Sequence, residues 1–262
     1  MTNSVFSEKD HALASGPLRV RSGGEGRPIV HLHSAGGPRI SGVIEALAHH
    51  HKVHAPFTPG FEGTVKHASV KTMQDLADLA AEYIRGECGG VCDVIGESFG
   101  GWIAMWLAVR HPDLVGQLVL EAPAGLRPAD AGGLPEDPAA RFAALHAHPE
   151  RAAKETRSEQ TLLANRKAVV EYTGGIGFDE ALAARLGEIK ARTLVLMGSQ
   201  DGIIPQASGQ LLKARVPRSH LTYIWDAAHA LEFDQPKRVS ALVLDFLDRG
   251  ESFLVRPAAT AA

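Results

Sequence analysis

Residues 92–101 read CDVIGESFGG, which joins an apolar run to the start of a helical pattern. Ser98 therefore lies on a tight turn from strand to helix, with Gly96 and Gly100 two residues to either side. Such a G-x-S-x-G turn strains the serine backbone, and side chains at the flanking positions would collide with it. The turn lifts the hydroxyl above the carboxyl edge of a sheet, at a helix N-terminus that stabilises developing negative charge. The segment predicts a nucleophile at Ser98.

Apolar runs rich in β-branched residues alternate with helical patterns on both sides of this turn. Strands are predicted at residues 28–33, 52–56, 92–96, 117–121, 193–197 and 221–225. Helical periodicity is clearest at residues 72–85, 102–110 and 237–247. Alternation of strand and helix predicts an α/β fold, with a mostly parallel central sheet and helices on both of its faces.

Residues 126–190 break this alternation, because they show no strand pattern, only Ala- and Leu-rich helical patterns interrupted by prolines. An insertion of this length in a compact α/β pattern is more typical of a lid than of ordinary surface helices. We expect a core from residues 17–125 and 191–256, a helical cap from residues 126–190, and flexible ends at 1–16 and 257–262. The cap should select the acyl groups that enter and contribute little to the geometry beneath it.

Composition limits the classes of partner. The 262 residues, 45% of them hydrophobic, can fill one large core. A net charge of -3 leaves no basic excess to hold a polyanion, so no nucleic-acid partner is expected. No apolar run is long enough to cross a bilayer. The polar start, residues 1–10, lacks the charged segment followed by an apolar segment that is typical of a signal peptide. A cytoplasmic protein with no membrane partner is expected.

The two cysteines, Cys88 and Cys92, exclude a disulfide framework. Their C-x-x-x-C spacing leaves a redox-active pair open, but two reduced, partly buried thiols fit a cytosolic protein better.

A serine hydroxyl must lose its proton as it attacks, so the nucleophile needs a positioned base. Thirteen histidines are available. The densest group comprises His49, His50, His51 and His54. These residues lie at the end of a predicted helix and the start of a predicted strand. Positive charge is favourable at the C-terminal end of a helix dipole, so solvated side chains are favoured over a metal site. His31 and His33 lie at a strand end and are expected to be structural or to line a pocket. We expect no metal and no cofactor.

From about Leu18 to Leu247 the chain resembles the α/β-hydrolase superfamily, in its serine-nucleophile branch with a small helical cap. The segment PFTPGF at 56–61 resembles a Pro-x-x-x-Gly-Phe loop of the family, and HLHSAGG at 31–37 resembles its His-Gly-x-Gly region. The resemblance implies that the backbone N–H groups of Phe99 and Ala35 form the oxyanion hole, although Ser34 stands where the family has glycine.

Two later segments complete the resemblance. Residues 194–205, LVLMGSQDGIIP, resemble the strand and loop that carry the family's acid, which implies Asp201 in that role. Residues 226–230, DAAHA, resemble its histidine loop, which implies His229 as the base. The chain order Ser, Asp, His is that of the family. Asp226 competes for the acid role, but at three residues from the histidine it would more naturally bond local backbone N–H groups.

The resemblance implies a hydrolase that cleaves a carboxylic ester or related acyl substrate through a Ser-His-Asp triad and an acyl-enzyme. Two alternatives stay open. One is a carbon-carbon bond hydrolase or lactonase of aromatic degradation, which would use the same triad. The other is a ligand-binding member of the fold without activity, although such members commonly lose a triad residue. The expected partner is a small-molecule acyl substrate, and the oligomeric state is left open.

Overall fold

The computed structural model describes residues 6–252, apart from 133, 134, 136, 153 and 251. Within this part of the chain, eight strands form one sheet in the order β1-β2-β4-β3-β5-β6-β7-β8. The strands are β1 (Ser7–Leu13), β2 (Gly16–Gly23), β3 (Pro28–Leu32), β4 (Lys52–Pro56), β5 (Cys92–Glu97), β6 (Val115–Glu121), β7 (Arg192–Gly198) and β8 (Ser219–Ile224). Strands β3 to β8 run parallel, and β1 and β2 form an antiparallel edge. The predicted α/β fold with a mostly parallel sheet is confirmed.

The helices that flank this sheet in the described residues are α1 (Gly42–Ala48), α2 (Met73–Glu87), α3 (Phe99–Arg110), α4 (Pro138–Leu145), α5 (Glu159–Thr173), α6 (Glu180–Arg185), α7 (Gln206–Arg215), α8 (Leu231–Asp234) and α9 (Pro236–Arg249). Side chains alternate across a strand, so Val94 and Ile95 of β5 enter different cores. Val94 packs with residues of α2 and α3, and Ile95 packs with residues of α1 and α9. Helices therefore cover both faces. No helix in residues 6–252, as far as they are described, is long and apolar enough to cross a membrane.

The expectation of a flexible start at residues 1–16 is wrong from Ser7 onward. Ser7–Leu13 forms β1, which pairs with β2 along its whole length. The hairpin is stabilised by ion pairs between the strands, from Arg19 to Asp10 at 2.9 Å and from Arg21 to Glu8. This edge strand is mostly exposed, so it has a polar sequence that resembles a loop. Residues 1–5 and the predicted flexible tail at 257–262 lie outside the described residues.

The segment between β6 and β7 is helical, as the sequence predicts, and its strand-like pairing in the described residues is one bridge between Leu126 and Phe178. Its return to the sheet is anchored by Asp179. One carboxylate oxygen of Asp179 accepts the indole N–H groups of Trp102 at 2.9 Å and Trp106 at 2.8 Å. Both indoles belong to α3, so the end of this segment is fixed to the helix that directly follows Ser98.

The turn at Ser98 has the strained geometry that its sequence predicts. Ser98 has φ 51°, in the region that side chains disfavour. A Cβ added to Gly100 would lie 2.0 Å from the carbonyl oxygen of Leu32, and one added to Gly96 would lie 2.6 Å from the carbonyl oxygen of Gly100. Both contacts are with backbone, which cannot move aside, so only glycine fits.

We predict that Gly100→Ala lowers the free energy of unfolding by about 1–3 kcal/mol or more, because the added methyl group overlaps the end of β3. Gly86→Ala is the matched control, since a Cβ there would meet nothing within 4 Å and Gly86 lies in α2. It should raise the free energy of unfolding by about 0.5–1 kcal/mol. Urea unfolding measures both, and equal stabilities for the two variants would contradict this account of the turn.

Candidate active site

Three side chains named from the sequence meet above the carboxyl edge of the sheet. Ser98 follows β5, Asp201 follows β7 and His229 follows β8. Nε2 of His229 lies 2.9 Å from Oγ of Ser98, and its Nδ1 lies 3.0 Å from Oδ2 of Asp201. The three residues therefore form one continuous chain of hydrogen bonds, in which the imidazole contacts the hydroxyl and the carboxylate at once.

The carboxylate of Asp201 is fixed on both of its oxygens. Oδ2 faces His229, while Oδ1 accepts the backbone N–H groups of Ile203 and Ile204, both at 2.8 Å. The side chain is fully buried. A carboxylate held in this way sets which nitrogen of the imidazole carries the proton, because Nδ1–H must point at Oδ2.

The groups around His229 change the pKa of its imidazole in opposite directions. Burial opposes protonation of His229, but the attraction of Asp201, the hydrogen bond to it and the negative charge of Glu97 outweigh burial and raise the histidine pKa. Ser98 and His229 are only 7% and 6% exposed. Such a site can accept the proton of an attacking hydroxyl and stabilise the resulting positive charge with little help from water.

The competing aspartate has a different partner. Asp226 accepts from Nε2 of His148 at 2.8 Å and lies on the surface, with its side chain 46% exposed. The hydrogen bond from His148 holds the pKa of Asp226 below its ordinary value. Of the two carboxylates that the sequence leaves in competition, the structure thus places Asp201 against His229 and Asp226 against the loop after α4.

Phe99, which follows Ser98, and Ala35, in the loop after β3, are the two residues predicted to supply backbone N–H groups to an oxyanion hole. Phe99 opens α3, and Ala35 lies in a turn closed by a 3.0 Å hydrogen bond from Gly37 N to Ser34 O. Neither the N–H of Phe99 nor that of Ala35 donates to any other residue that the structure describes. The contact of Gly100 with the end of β3 brings these two segments together. Both groups are thus available to a ligand.

His33 is structural. Its Nδ1 lies 2.7 Å from the carbonyl oxygen of Ser34, and its Nε2 accepts the backbone N–H of Thr58 at 3.1 Å. Burial lowers the pKa of His33 to about 4, so the ring is neutral and joins two loops beside the site. This agrees with the structural role expected from its position at a strand end.

The other polar clusters of the sequence lie outside this site. In the described residues, no group of three or more His, Cys, Asp or Glu side chains is placed to hold a metal ion. His54, from the dense histidine group, is hydrogen-bonded through Nδ1 to the hydroxyl of Tyr83 at 2.8 Å. Cys88 and Cys92 are buried free thiols.

The expectation that residues 126–190 contribute little to the geometry beneath them is wrong. The carbonyl of Leu145, the last residue of α4, accepts the N–H of Ala230 at 2.9 Å, and that of Ala144 accepts the N–H of Gly202 at 3.2 Å. These donors are the direct neighbours of His229 and Asp201 in the chain. The end of α4 therefore holds the loops of both residues.

Asp234 strengthens this connection and was missed at the level of sequence. Its fully buried carboxylate accepts the N–H groups of Ala228 at 2.7 Å, Ala147 at 3.0 Å and His148 at 3.1 Å. One side chain thus binds the histidine loop and the segment after α4 together. An acidic residue two positions before Pro236 carries no local signal for this role, because two of its three donors, Ala147 and His148, lie 87 and 86 residues away in the chain.

A second contact joins the inserted segment to the loop that carries Ala35. Arg157 donates to the carbonyl of Gly36, and also to Oε1 of Glu62 at 2.9 Å. Asn165 of α5 donates to the same oxygen at 2.8 Å. Gly37 leaves room for these groups, since a Cβ there would lie 2.7 Å from the Arg157 guanidinium. Residues 126–190 therefore contact the site from two sides.

Residues 29–242 match the model of the Alpha/beta hydrolase family. The chain belongs to the α/β-hydrolase family. Among its relatives is the 2-hydroxymuconate semialdehyde hydrolase of Pseudomonas sp. strain CF600, 27% identical over 89% of this chain and 91% of its own length. Another is the pimeloyl-[acyl-carrier protein] methyl ester esterase of Aeromonas hydrophila subsp. hydrophila, 26% identical over 88% of this chain and 99% of its own.

The fold of this α/β hydrolase is also found in solved structures. A serine hydrolase from the polyaromatic hydrocarbon-degrading bacterium Cycloclasticus zankles superposes with a TM-score of 0.78, at 18% identity, over 94% of this chain and 99% of that one. The predicted superfamily and fold are thus confirmed, and the protein is an enzyme of this family.

We predict that Asp234→Asn lowers the free energy of unfolding by about 1–3 kcal/mol, because the amide nitrogen cannot accept the backbone N–H groups that face it. Activity on any substrate should fall by about tenfold or more, since the histidine loop loses its anchor. Asp113→Asn, at an exposed position, is the control and should change neither quantity. If both variants matched the wild type in urea unfolding and in turnover, Asp234 would not hold the loop.

Proposed function

We propose that this α/β hydrolase cleaves a carboxylic ester or related acyl substrate through a triad of Ser98, His229 and Asp201. The observation that carries the proposal is the chain of hydrogen bonds from Asp201 Oδ2 to His229 Nδ1, at 3.0 Å, and from His229 Nε2 to Ser98 Oγ, at 2.9 Å. A serine is a weak nucleophile until a base takes its proton, and this geometry supplies the base already in contact.

The reaction proceeds in two halves. Ser98 Oγ attacks the carbonyl carbon while its proton moves to His229 Nε2, and the protonated histidine then gives the proton to the leaving alcohol. The acyl group stays on Ser98 until water, activated by the same histidine, releases the acid. The N–H groups of Phe99 and Ala35 stabilise the oxyanion in both halves. Asp201 keeps its charge throughout and stabilises the imidazolium.

We also propose that residues 126–190 act as a cap on a core of residues 17–125 and 191–256. The support is the helical content of the inserted segment and its contacts with the loops beside the site. Since Ser98 and His229 are buried, a substrate must displace part of this covering to reach them.

A cytoplasmic location is favoured by the two free thiols, Cys88 and Cys92, because a reducing compartment keeps thiols from forming disulfides.

A second candidate reaction has support from the relatives. One relative is a 2-hydroxymuconate semialdehyde hydrolase and another is a methyl ester esterase, at nearly equal identity to this chain. The same serine, histidine and aspartate suit either bond, because both reactions need a proton acceptor beside a stabilised oxyanion. Hydrolysis of a carbon-carbon bond in a dienoic diketone acid is therefore the alternative, together with lactone hydrolysis.

One panel of substrates separates these reactions. It contains p-nitrophenyl esters of increasing chain length, a lactone and a dienoic diketone acid, compared by kcat/KM. The proposal expects an ester to be preferred and a burst of p-nitrophenol at the start of turnover. A higher kcat/KM for the diketone acid would favour the alternative reaction, and no turnover of any compound would favour a protein that only binds ligands.

We predict that Ser98→Ala stays folded and loses turnover on the order of a millionfold, as expected when a triad nucleophile is removed. The measurement is the rate on the best ester of the panel, with the folded state checked by circular dichroism. A variant that retained more than about a tenth of the wild-type rate would remove Ser98 from the mechanism.

Asp201→Asn should lower turnover roughly ten-thousandfold, because the amide no longer fixes the imidazole in its productive tautomer. Asp226→Asn is the matched control, with the same chemical change three residues from His229, and should have a mild effect since Asp226 contacts His148 instead. Both are assayed on one activated ester. The reverse ranking would transfer the role of the acid to Asp226.

A further inference from the structure

Arg157, which lies just before α5, connects the inserted segment to the loop that carries Ala35. Its Nε and Nη2 donate to the two carboxylate oxygens of Glu155, at 2.8 and 2.7 Å. Its Nη1 donates to Oε1 of Glu62 at 2.9 Å and to the carbonyl oxygen of Gly36. The side chain is only 14% exposed. These contacts fix the guanidinium in place against the carbonyl of Gly36.

The carbonyl of Gly36 belongs to the first of two peptide groups between Arg157 and the N–H of Ala35. In a trans peptide group the C=O and the N–H point in opposite directions. The N–H that shares this first group belongs to Gly37, and it donates to the carbonyl oxygen of Ser34 at 3.0 Å. The Ser34 carbonyl in turn shares its peptide group with the N–H of Ala35. The hydrogen bonds thus run in series from the guanidinium, through two peptide groups, to one of the two N–H groups of the proposed oxyanion hole.

His33 fixes the second peptide group from another side. Its Nε2 accepts the backbone N–H of Thr58 at 3.1 Å, so the proton of the neutral ring is on Nδ1. Nδ1 donates to the carbonyl oxygen of Ser34 at 2.7 Å. That oxygen therefore accepts two donors, one from His33 and one from Gly37. Because the oxygen is fixed, the N–H of Ala35 must point the opposite way, where it meets no acceptor in the part of the chain that the structure describes.

Glu62 and Asn165 form the surface that Arg157 contacts. Glu62 has φ 50°, a conformation that persists in a side-chain-bearing residue only where its surroundings enforce it. Its N–H donates to Oδ1 of Asn165 at 3.1 Å, and Nδ2 of Asn165 donates to its Oε1 at 2.8 Å. Asn165 belongs to α5 and is 2% exposed. Since a Cβ on Gly37 would lie 2.7 Å from both Nη1 of Arg157 and Oε1 of Glu62, the loop packs directly on these groups.

Residues 34–37 need such an anchor to keep one conformation. The loop contains two glycines, and Ala35 and Gly36 are exposed, so packing alone does not fix it. Hydrogen bonds in series polarise one another, and a cation at one end strengthens the donors along the series. A donor that is oriented and polarised before the reaction stabilises developing negative charge without reorganising. Arg157 should therefore stabilise the oxyanion more than the uncharged carbonyl of the substrate.

We propose that Arg157 is a positioning residue for the oxyanion hole, which orients and polarises the N–H of Ala35 through the two peptide groups between them. Arg157 itself touches neither the substrate nor Ser98 in this account, and it neither gives nor takes a proton. Because it belongs to residues 126–190, movement of this segment away from the loop would break the contact with Gly36. The oxyanion hole is then complete only while the segment is in place. The inference rests on the proposed function.

A pair of ketone inhibitors measures oxyanion stabilisation separately from binding of the acyl chain. A trifluoromethyl ketone adds to the serine hydroxyl and forms a tetrahedral adduct, whose negative oxygen occupies the oxyanion hole. The methyl ketone with the same acyl chain fills the same pocket but stays an uncharged carbonyl. The ratio of their two inhibition constants, here called the ketone ratio, therefore reports on the hole, and the acyl chain is that of the best ester of the panel.

Arg157→Met keeps the length of the side chain but removes its donors and its charge. The trifluoromethyl ketone should bind about tenfold more weakly, with no change for the methyl ketone. In ester hydrolysis kcat should fall about tenfold while KM changes by less than about twofold, since the lost stabilisation is confined to the transition state. A folded Arg157→Met variant with the wild-type ketone ratio overturns the proposal. Equal weakening of both ketones overturns it as well, because Arg157 would then act on binding of the acyl chain.

Arg185→Met is the matched control. Arg185 also belongs to residues 126–190 and is bound to a glutamate in the same way, with Nε and Nη2 at 3.0 and 2.8 Å from the oxygens of Glu188. It has no contact with residues 34–37 among the hydrogen bonds of the described chain. Its replacement should leave kcat and the ketone ratio unchanged, and a loss equal to that of Arg157→Met would overturn the proposal.

Glu155→Ala provides a second variant at a position that is easier to change, since the Glu155 side chain is 40% exposed. It releases Nε and Nη2 of Arg157, so the guanidinium is held less firmly and the ketone ratio should fall about threefold. If Arg157→Met does not fold, this variant decides, and a wild-type ketone ratio in Glu155→Ala overturns the proposal.

Failure of the proposed function has a different signature. A wild-type enzyme that turns over no ester, or an active Ser98→Ala variant, removes both accounts. An unchanged ketone ratio in folded Arg157→Met, beside an active wild type, removes only the role of Arg157.

Discussion

The backbone of Ser98, held at φ 51° between β5 and α3, is the constraint on which the rest of the site depends. This conformation is disfavoured for a side-chain-bearing residue and costs on the order of 1–3 kcal/mol, so the surrounding structure must enforce it. Gly96 and Gly100 allow the close packing that does so, and Ser98 N donates to the carbonyl of Glu121 at 2.8 Å. As a result, the hydroxyl stands at a helix N-terminus with His229 in contact.

The two loops that reach this serine depend on contacts beyond the sheet. The sheet sets where β7 and β8 end, but the end of α4 and the carboxylate of Asp234 fix the chain around His229 and Asp201. Under the proposed function, in which residues 126–190 act as a cap, selectivity and chemical geometry are coupled. A change in this segment that admits a larger acyl group would also disturb the loops that carry Asp201 and His229, so both kcat and KM should respond to it.

Local patterns in the sequence predict those strands and turns whose conformation is set by residues close together in the chain. The six predicted strands all form, each starting within two residues of its predicted start, because runs of apolar β-branched residues are typical of the strands of a parallel sheet. The turn at Ser98 is predicted from its glycines. Strand β1 is missed because it is an exposed, polar edge, and Asp234 because its donors lie up to 87 residues away. The pairing of Glu97 with Glu121 on neighbouring strands depends on strand register, which no local pattern contains.

The central claim is that Ser98 carries the acyl group between the two halves of the reaction. It is tested most directly by mixing the enzyme with p-nitrophenyl acetate, quenching in acid within the first turnover and mapping the acyl group by peptide mass spectrometry. The account predicts one added acetyl group on the peptide that contains Ser98. An acetyl group on another residue, or release of p-nitrophenol with no modified peptide, would contradict it.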